Sequence, residues 1–279
     1  MQIRTMTRED LDFALAMTGA EGWSSTRHDF EELLEYDPHG CFIGEVDAKP
    51  IGMVCVVPYQ KFGFIGNLIV DKSCRGQQCG KTLMEHAMHY LRNQGVQSIL
   101  LDGVPKAVTL YERLGFKKIC KSLRLEGVMS GKGSRDVRLM RQDDLTLITR
   151  LDASLFGGRR DQFLRMRYAA HPEHCKVLEI DGKIHGYIMG SISGDAVRIG
   201  PWVMMKSNTF AERLLLGFAQ GVAKKTLKAG VLETNTESLD LLHKYGFKEV
   251  SFSWRMACGK DTEATLSTRL YAICCPARG

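Results

Sequence analysis

Short apolar stretches separated by polar turns dominate the first part of the chain. Cys41–Val46, Ile51–Val57 and Phe62–Val70 each read as strands, the first two joined by the turn Asp47-Ala48-Lys49-Pro50. After Val70 the apolar period lengthens to the helical one. Leu83, Ala87, Tyr90 and Leu91 fall on one face and predict a helix over Lys81–Asn93. A strand Ile99–Asp102, a short helix from Ala107 and a last strand pair follow. Upstream, a strand near Ile3 leads to a helix from Arg8, whose start is marked by Thr7 with Asp10 three residues on; a second helix spans Thr26–Tyr36.

The second part repeats this pattern in shorter form, with strands near Val177–Ile180, Gly186–Ser193 and Ala196–Met204 and then a helix over Thr209–Thr226. Lys49-Pro50-Ile51-Gly52-Met53-Val54 is answered by Lys183-Ile184-His185-Gly186-Tyr187-Ile188. Leu114-Gly115-Phe116-Lys117 is answered by Tyr245-Gly246-Phe247-Lys248 at nearly the same interval. Each half opens on an acidic helix start, Arg8-Glu9-Asp10-Leu11 and Arg141-Gln142-Asp143-Asp144. The reading is two tandem domains, residues 1–129 and 137–279, with the polar linker 130–136 between them.

Between the apolar run ending at Val70 and the helix at Lys81 lies a basic turn with glycines, Arg75-Gly76-Gln77-Gln78-Cys79-Gly80-Lys81. Such a turn gathers backbone N–H groups into one concavity, and the helix N-terminus adds partial positive charge, so the ligand implied is phosphorylated. Two nucleotide motifs are excluded. The glycine spacing is one residue short of a P-loop, and no G-x-G-x-x-G is present. With 279 residues and 44% apolar composition the chain can bury substantial cores, and its net charge of +6 is spread too thinly for a nucleic-acid surface. The nine cysteines show no metal-ligand spacing and read as reduced thiols, so no metal is expected. No signal segment precedes Arg4 and no apolar run is long enough to span a membrane. A cytoplasmic protein that binds neither membrane nor nucleic acid is the expectation.

The turn Arg75–Gly80 resembles the pyrophosphate loop of the GNAT superfamily of N-acetyltransferases, R-x-x-G-x-G with one exception. Leu110-Tyr111-Glu112-Arg113-Leu114-Gly115-Phe116-Lys117 resembles that family's late motif, and Leu68-Ile69-Val70 its splayed fourth strand. Glu21-Gly22-Trp23 and Leu101-Asp102, with Phe156-Gly157 and Ile199-Gly200-Pro201 further on, look like the two-domain type. The resemblance implies an α/β (α+β) fold of two GNAT-like domains, each a mixed, mainly antiparallel twisted sheet flanked by helices. It further implies an N-acetyltransferase using acetyl-CoA as co-substrate, with direct transfer to an amine in a ternary complex.

On that resemblance, Leu68, Ile69 and Val70 pair with the pantetheine arm, and Arg75, Gly76, Gln77, Gln78, Cys79, Gly80 and Lys81 hold the pyrophosphate. Gln78 stands where the family usually has glycine, which costs on the order of 1 kcal/mol where φ is positive. Val104-Pro105 stands where many relatives place an asparagine. Tyr111 is the candidate general acid and equally a core residue of an amphipathic helix. Asp102 is the candidate base, with a water relay or a turn-capping role as alternatives. Trp23, His28, Asp29 and Tyr59 rim the acceptor side, and Arg198 with Gly200-Pro201-Trp202 offers a second set. Met205-Lys206-Ser207-Asn208, with neither glycine nor arginine, replaces the phosphate loop in the second domain, which reads as degenerate. The acceptor expected is a small-molecule amine, and a homodimer is left open. The rival readings are a non-catalytic acyl-CoA-binding regulatory module and a protein N-terminal or lysine acetyltransferase.

Overall fold

The computed structural model describes residues 1–205, 208–222, 224–260 and 266–279, with backbone alone at 208 and 209. Lys206 and Ser207, in the place of a second phosphate loop, lie outside the described residues, as does one position of the helix expected over Thr209–Thr226. The chain divides into two compact units. The first holds Met1–Lys118, a stretch beginning at Met256, and Arg278; the second holds Ile119–Arg255, the later residues to Ala277, and Gly279.

The first unit runs β1 (Gln2–Thr5), α1 (Leu11–Ala20), α2 (Arg27–Tyr36), β2 (Cys41–Val46), β3 (Lys49–Pro58), β4 (Phe62–Val70), α3 (Cys79–Asn93), β5 (Ser98–Gly103) and α4 (Val108–Arg113). Its sheet has the order β1-β2-β3-β4-β5, antiparallel except for the parallel β4–β5 pair. Asp47 and Ala48 both have positive φ and close β2 onto β3 as a two-residue hairpin turn. Thr26 caps α2, and Asp29 answers from its third position, the reciprocal arrangement expected of that pair. Helix α3 buries Leu83, Met84, Ala87, Met88 and Leu91, the leucines and methionines each worth about 1.5–3 kcal/mol against exposure. It packs on β3 and β4, so closely that a Cβ at Gly63 would lie 2.6 Å from Leu91.

The second unit contains β6 (Lys117–Gly127), β7 (Val137–Leu139), α5 (Asp144–Phe156), α6 (Asp161–Ala170), β8 (Cys175–Ile180), β9 (Lys183–Ser193), β10 (Ala196–Met204), α7 (Asn208–Gln220), β11 (Thr226–Leu232), α8 (Thr236–Lys244), β12 (Lys248–Gly259) and β13 (Leu270–Ala272). The end of β12 belongs to the first unit, where Gly259 meets Gln97 and Cys258 meets Gly115. Strand order is β12-β6-β11-β10-β9-β8-β7, with β13 paired to β10. The helix expected to reach Thr226 instead ends at Gln220, before Gly221, and Thr226 opens β11, parallel to β10. That strand is largely buried, with Thr226 and Lys228 half-buried, and its second half lacks the alternation that would mark it as a strand. Residues 128–134 carry no helix or strand. They lie against α7, where a Cβ on Gly131 would sit 1.9 Å from the Leu216 carbonyl oxygen.

The internal repeat survives at the level of register. Gly52↔Val70, Met53↔Ile69 and Val56↔Ile65 of the first unit recur as Gly186↔Met204, Tyr187↔Val203 and Gly190↔Ile199 of the second, each interrupted at the same point.

Candidate active site

Strand β4 has unequal neighbours. Its antiparallel ladder with β3 continues to Val70, whereas its parallel ladder with β5 stops at Ile65↔Leu101. A bulge opposite Met53–Cys55 turns the strand, and Asn67 takes a φ of 52° there, a conformation asparagine tolerates better than most residues. Beyond Ile65 the two parallel strands therefore separate. Among the described residues no strand pairs with Gly66–Val70 on the β5 side, although an extended stretch presents N–H and C=O groups to both edges. One of these groups is met locally: the Val70 carbonyl accepts Arg75 Nε at 2.9 Å.

The turn that follows is built for backbone donors. Asp71 steadies its entry by accepting from Ser73 N at 2.8 Å. Gly76 and Gln78 have φ of 78° and 62°, and α3 begins at Cys79, so the costly branch for Gln78 is the one realised. The Gln78 carbonyl accepts Thr82 N at 3.0 Å, starting the helix. Arg75 is braced as well as exposed. Its Nη2 donates to Glu21 Oε1, while Lys106 Nζ, from the turn between β5 and α4, reaches Glu21 Oε2 at 2.5 Å. Lys106 and then Arg75 hold the Glu21 carboxyl below the usual range. Lys81 lies 3.7 Å from Glu85 on the exposed face of α3.

Tyr111 stands at the other side of the gap. Its ring packs on Gly103, the last residue of β5, where a Cβ would lie 2.6 Å from Tyr111 Cε2. Leu110 beside it lies over Gly80 at the start of α3. Only 7% of Tyr111 is exposed, its hydroxyl makes no hydrogen bond among the described residues, and burial pushes its pKa up to about 12. Asp102 is half-buried next to Gly103.

The acceptor candidates each have partners of their own. Trp23 is half-buried just after α1. Asp29 uses its carboxylate at the α2 cap, accepting from Thr26 N and Oγ1 at 2.9 Å. Tyr59 is buried, stacked edge-on against Tyr36, and donates through its hydroxyl to the Arg278 carbonyl at 2.9 Å. Arg278 also donates from Nη1 to Glu32 Oε2 at 2.6 Å and from Nη2 to the Asp29 carbonyl, and His28 lies 3.5 Å from Glu32. Asp29 and Tyr59 thus meet in a cluster about Arg278. Arg198 is half-buried on β10 with Nη2 3.5 Å from Ser193 Oγ, and Trp202 is wholly buried in the second unit's core. Sequence reasoning missed Asn67, Glu21's bracing role, Lys106 and Arg278. An asparagine after glycine inside an apolar run was an available signal for the first; nothing local announced the others. Among the described residues no group of metal-ligating side chains is present, and no helix is long and apolar enough to cross a membrane.

Residues 8–116 match the acetyltransferase (GNAT) family, and residues 148–272 match a second acetyltransferase (GNAT) domain family. The holothin acyltransferase of Pseudoalteromonas sp. is 26% identical over 253 residues, covering 88% of this chain and 83% of its own length. An uncharacterized N-acetyltransferase of Bacillus subtilis is 23% identical over 86% of this chain and 85% of its own. In fold, the chain is similar to a putative acetyltransferase from Pyrococcus horikoshii, with TM-score 0.84, 24% identity and coverage of 100% and 95%. It is also similar to a tandem GNAT protein from the clavulanic acid biosynthesis pathway, with TM-score 0.64, 12% identity and coverage of 92% and 98%.

Proposed function

The chain belongs to the GNAT acetyltransferases and is an N-acetyltransferase of two GNAT domains; from that premise we propose that its first unit performs the reaction, with acetyl-CoA as donor and a small-molecule amine as acceptor. One observation carries the assignment of the donor: the open edge of β4 from Gly66 to Val70, ending at a turn of backbone donors and a helix N-terminus. An extended amide-bearing arm satisfies such an edge as an added strand does, and Leu68, Ile69 and Val70 supply the backbone that would pair with it. The turn Arg75–Gly80 offers N–H groups and the α3 dipole to a pyrophosphate, with Arg75 held at the mouth by Glu21 and the Val70 carbonyl.

Acetyl-CoA supplies an activated thioester. The amine, deprotonated, adds to the thioester carbonyl; the C–S bond then breaks, and the departing sulfur needs a proton. Tyr111 is suited to give it, because its buried phenol stays protonated at neutral pH. Asp102, at the end of β5 beside Tyr111's packing partner Gly103, takes the amine proton directly or through water. The acetyl group ends on nitrogen, the thiol leaves with the proton from Tyr111, and the proton taken by Asp102 returns to the Tyr111 phenolate through solvent. The second unit acts as a non-catalytic domain. A relative matched along most of the chain acts, by its name, on holothin, and the choice of a small-molecule acceptor follows that parallel.

The test is thiol release from acetyl-CoA with a panel of small amines and of peptides. Turnover on a small amine is expected. Tight CoA binding without turnover on any member would refute the catalytic reading, and turnover confined to peptides would redirect it to a protein substrate.

A further inference from the structure

The second unit has the same gap as the first, and it is filled. The parallel β10–β11 ladder runs from Ala196↔Thr226 to Ile199↔Ala229 and stops, at the point where β4 leaves β5 in the first unit. A bulge follows between Ile199 and Trp202. Into the opening comes β13, antiparallel to β10, with Trp202↔Ala272 and Val203↔Leu270 in register and Met204 N donating to the Arg269 carbonyl at 2.9 Å. On its other side Ile273 N donates to the Gly230 carbonyl of β11 at 2.9 Å. The segment thus bridges the two diverging strands.

Helix α8 holds the segment from a third direction. Asn235 Nδ2 donates to the carbonyls of Thr268 and Leu270 at 2.7 and 3.0 Å, and Ser238 Oγ donates to that of Tyr271 at 2.6 Å. Tyr271 Oη donates to Glu237 at 2.5 Å, and its ring lies 5.0 Å from that of Trp202. The walls are cut to fit a backbone. A Cβ on Gly200 would lie 2.0 Å from the Ile273 carbonyl oxygen, and one on Gly230 would lie 2.7 Å from Ile273 Cγ1. Leu270, Tyr271, Ala272 and Ile273 are all buried.

We propose that the second unit is a strand-binding module whose permanent ligand is the chain's own segment Arg269–Ile273, seated in the slot that the first unit keeps open. The slot recognises extended polypeptide: it supplies ladder partners on two sides, side-chain donors from α8 for carbonyls, and glycines where the backbone passes closest. It holds no acyl-CoA, so the chain takes up one equivalent.

Two measurements on the full-length chain decide this. Hydrogen exchange should show the Met204 and Ile273 amides protected to the level of the β10–β11 ladder, with or without saturating acetyl-CoA; exchange at the rate of exposed amides, or deprotection of either amide by acetyl-CoA, overturns the proposal. Ser238→Ala, which leaves the Tyr271 carbonyl without its donor, should speed exchange at both amides about tenfold; unchanged exchange in that variant also overturns it. Calorimetric titration with acetyl-CoA should give one equivalent per chain in both proteins. Two equivalents would overturn the filled slot, whereas none, with both amides still protected, would refute only the donor assignment to the first unit.

Discussion

Replacing Tyr111 by phenylalanine separates catalysis from packing at the residue on which the mechanism most depends. The ring does structural work, lying on Gly103 and edge-on to Phe116 with centroids 6.2 Å apart, and phenylalanine keeps those contacts. The hydroxyl has no hydrogen-bond partner among the described residues, so its removal breaks no internal bond, and stability should change by less than about 0.5 kcal/mol. Burial raises the pKa to about 12, which disfavours the phenolate by about 3 kcal/mol. As the proposed general acid, Tyr111 would act as a donor only, and a fall in kcat beginning below about pH 11 would belong to another group. Loss of a positioned general acid lowers kcat by about 10²–10⁴. Steady-state kinetics of Tyr111→Phe should show that loss with the KM for acetyl-CoA within about threefold of wild type, beside an unchanged melting curve. A kcat within threefold of the parent would remove Tyr111 from the proton transfer.

Three further outcomes are expected. Gly103→Ala places a methyl 2.6 Å from the Tyr111 ring; thermal melts should show about 1–3 kcal/mol lost, with kcat falling as the ring is displaced. Gln78→Gly relieves a left-handed glutamine worth about 1 kcal/mol, offset by a similar unfolded-state entropy, so the melting temperature should barely move and the KM for acetyl-CoA should not rise. A loss beyond about 1 kcal/mol would mean that the glutamine side chain holds something. Asp152→Asn strikes the second unit, where the buried carboxylate accepts from Arg160 Nε and Nη2 at 2.8 Å and from Tyr187 Oη. Stranding that cation should cost about 3–5 kcal/mol in urea unfolding.

The strands flanking the site were legible because each is a run of apolar residues bounded by polar turns. Phe62–Val70 and Ala196–Met204 have the bounds that their hydrophobicity suggests. The glycine turn after Val70 was legible as a turn for a different reason: backbone that must curl at a helix start needs small residues, and Gly76 takes positive φ there. What escaped depends on partners remote in sequence. Glu32 and Arg278 are 246 residues apart, and no local pattern announces their pairing. The role of Leu270–Ala272 is equally hidden. Three apolar residues make no recognisable strand, and their burial is set by the divergence of β10 and β11. The end of α7 was missed because Gly221 alone marks it, and β11 went unread because its buried second half, Ala229–Leu232, lacks the alternation that marks a strand.

The late segments of the chain also bear on how it is made. Met256–Gly259 belongs to the first unit, and Arg269–Ile273 fills the second, so each waits for residues translated after nearly everything else it contains. A nascent chain emerges at about 5–20 residues per second, and N-terminal domains ordinarily close while the rest is still being synthesised. Here the first unit would stand on the ribosome with β5 lacking the neighbour that Gly259 brings to Gln97, and with Glu32 lacking Arg278. Completion of both units would wait for these late segments, and a nascent chain arrested before Met256 should be more open to protease than one that includes them.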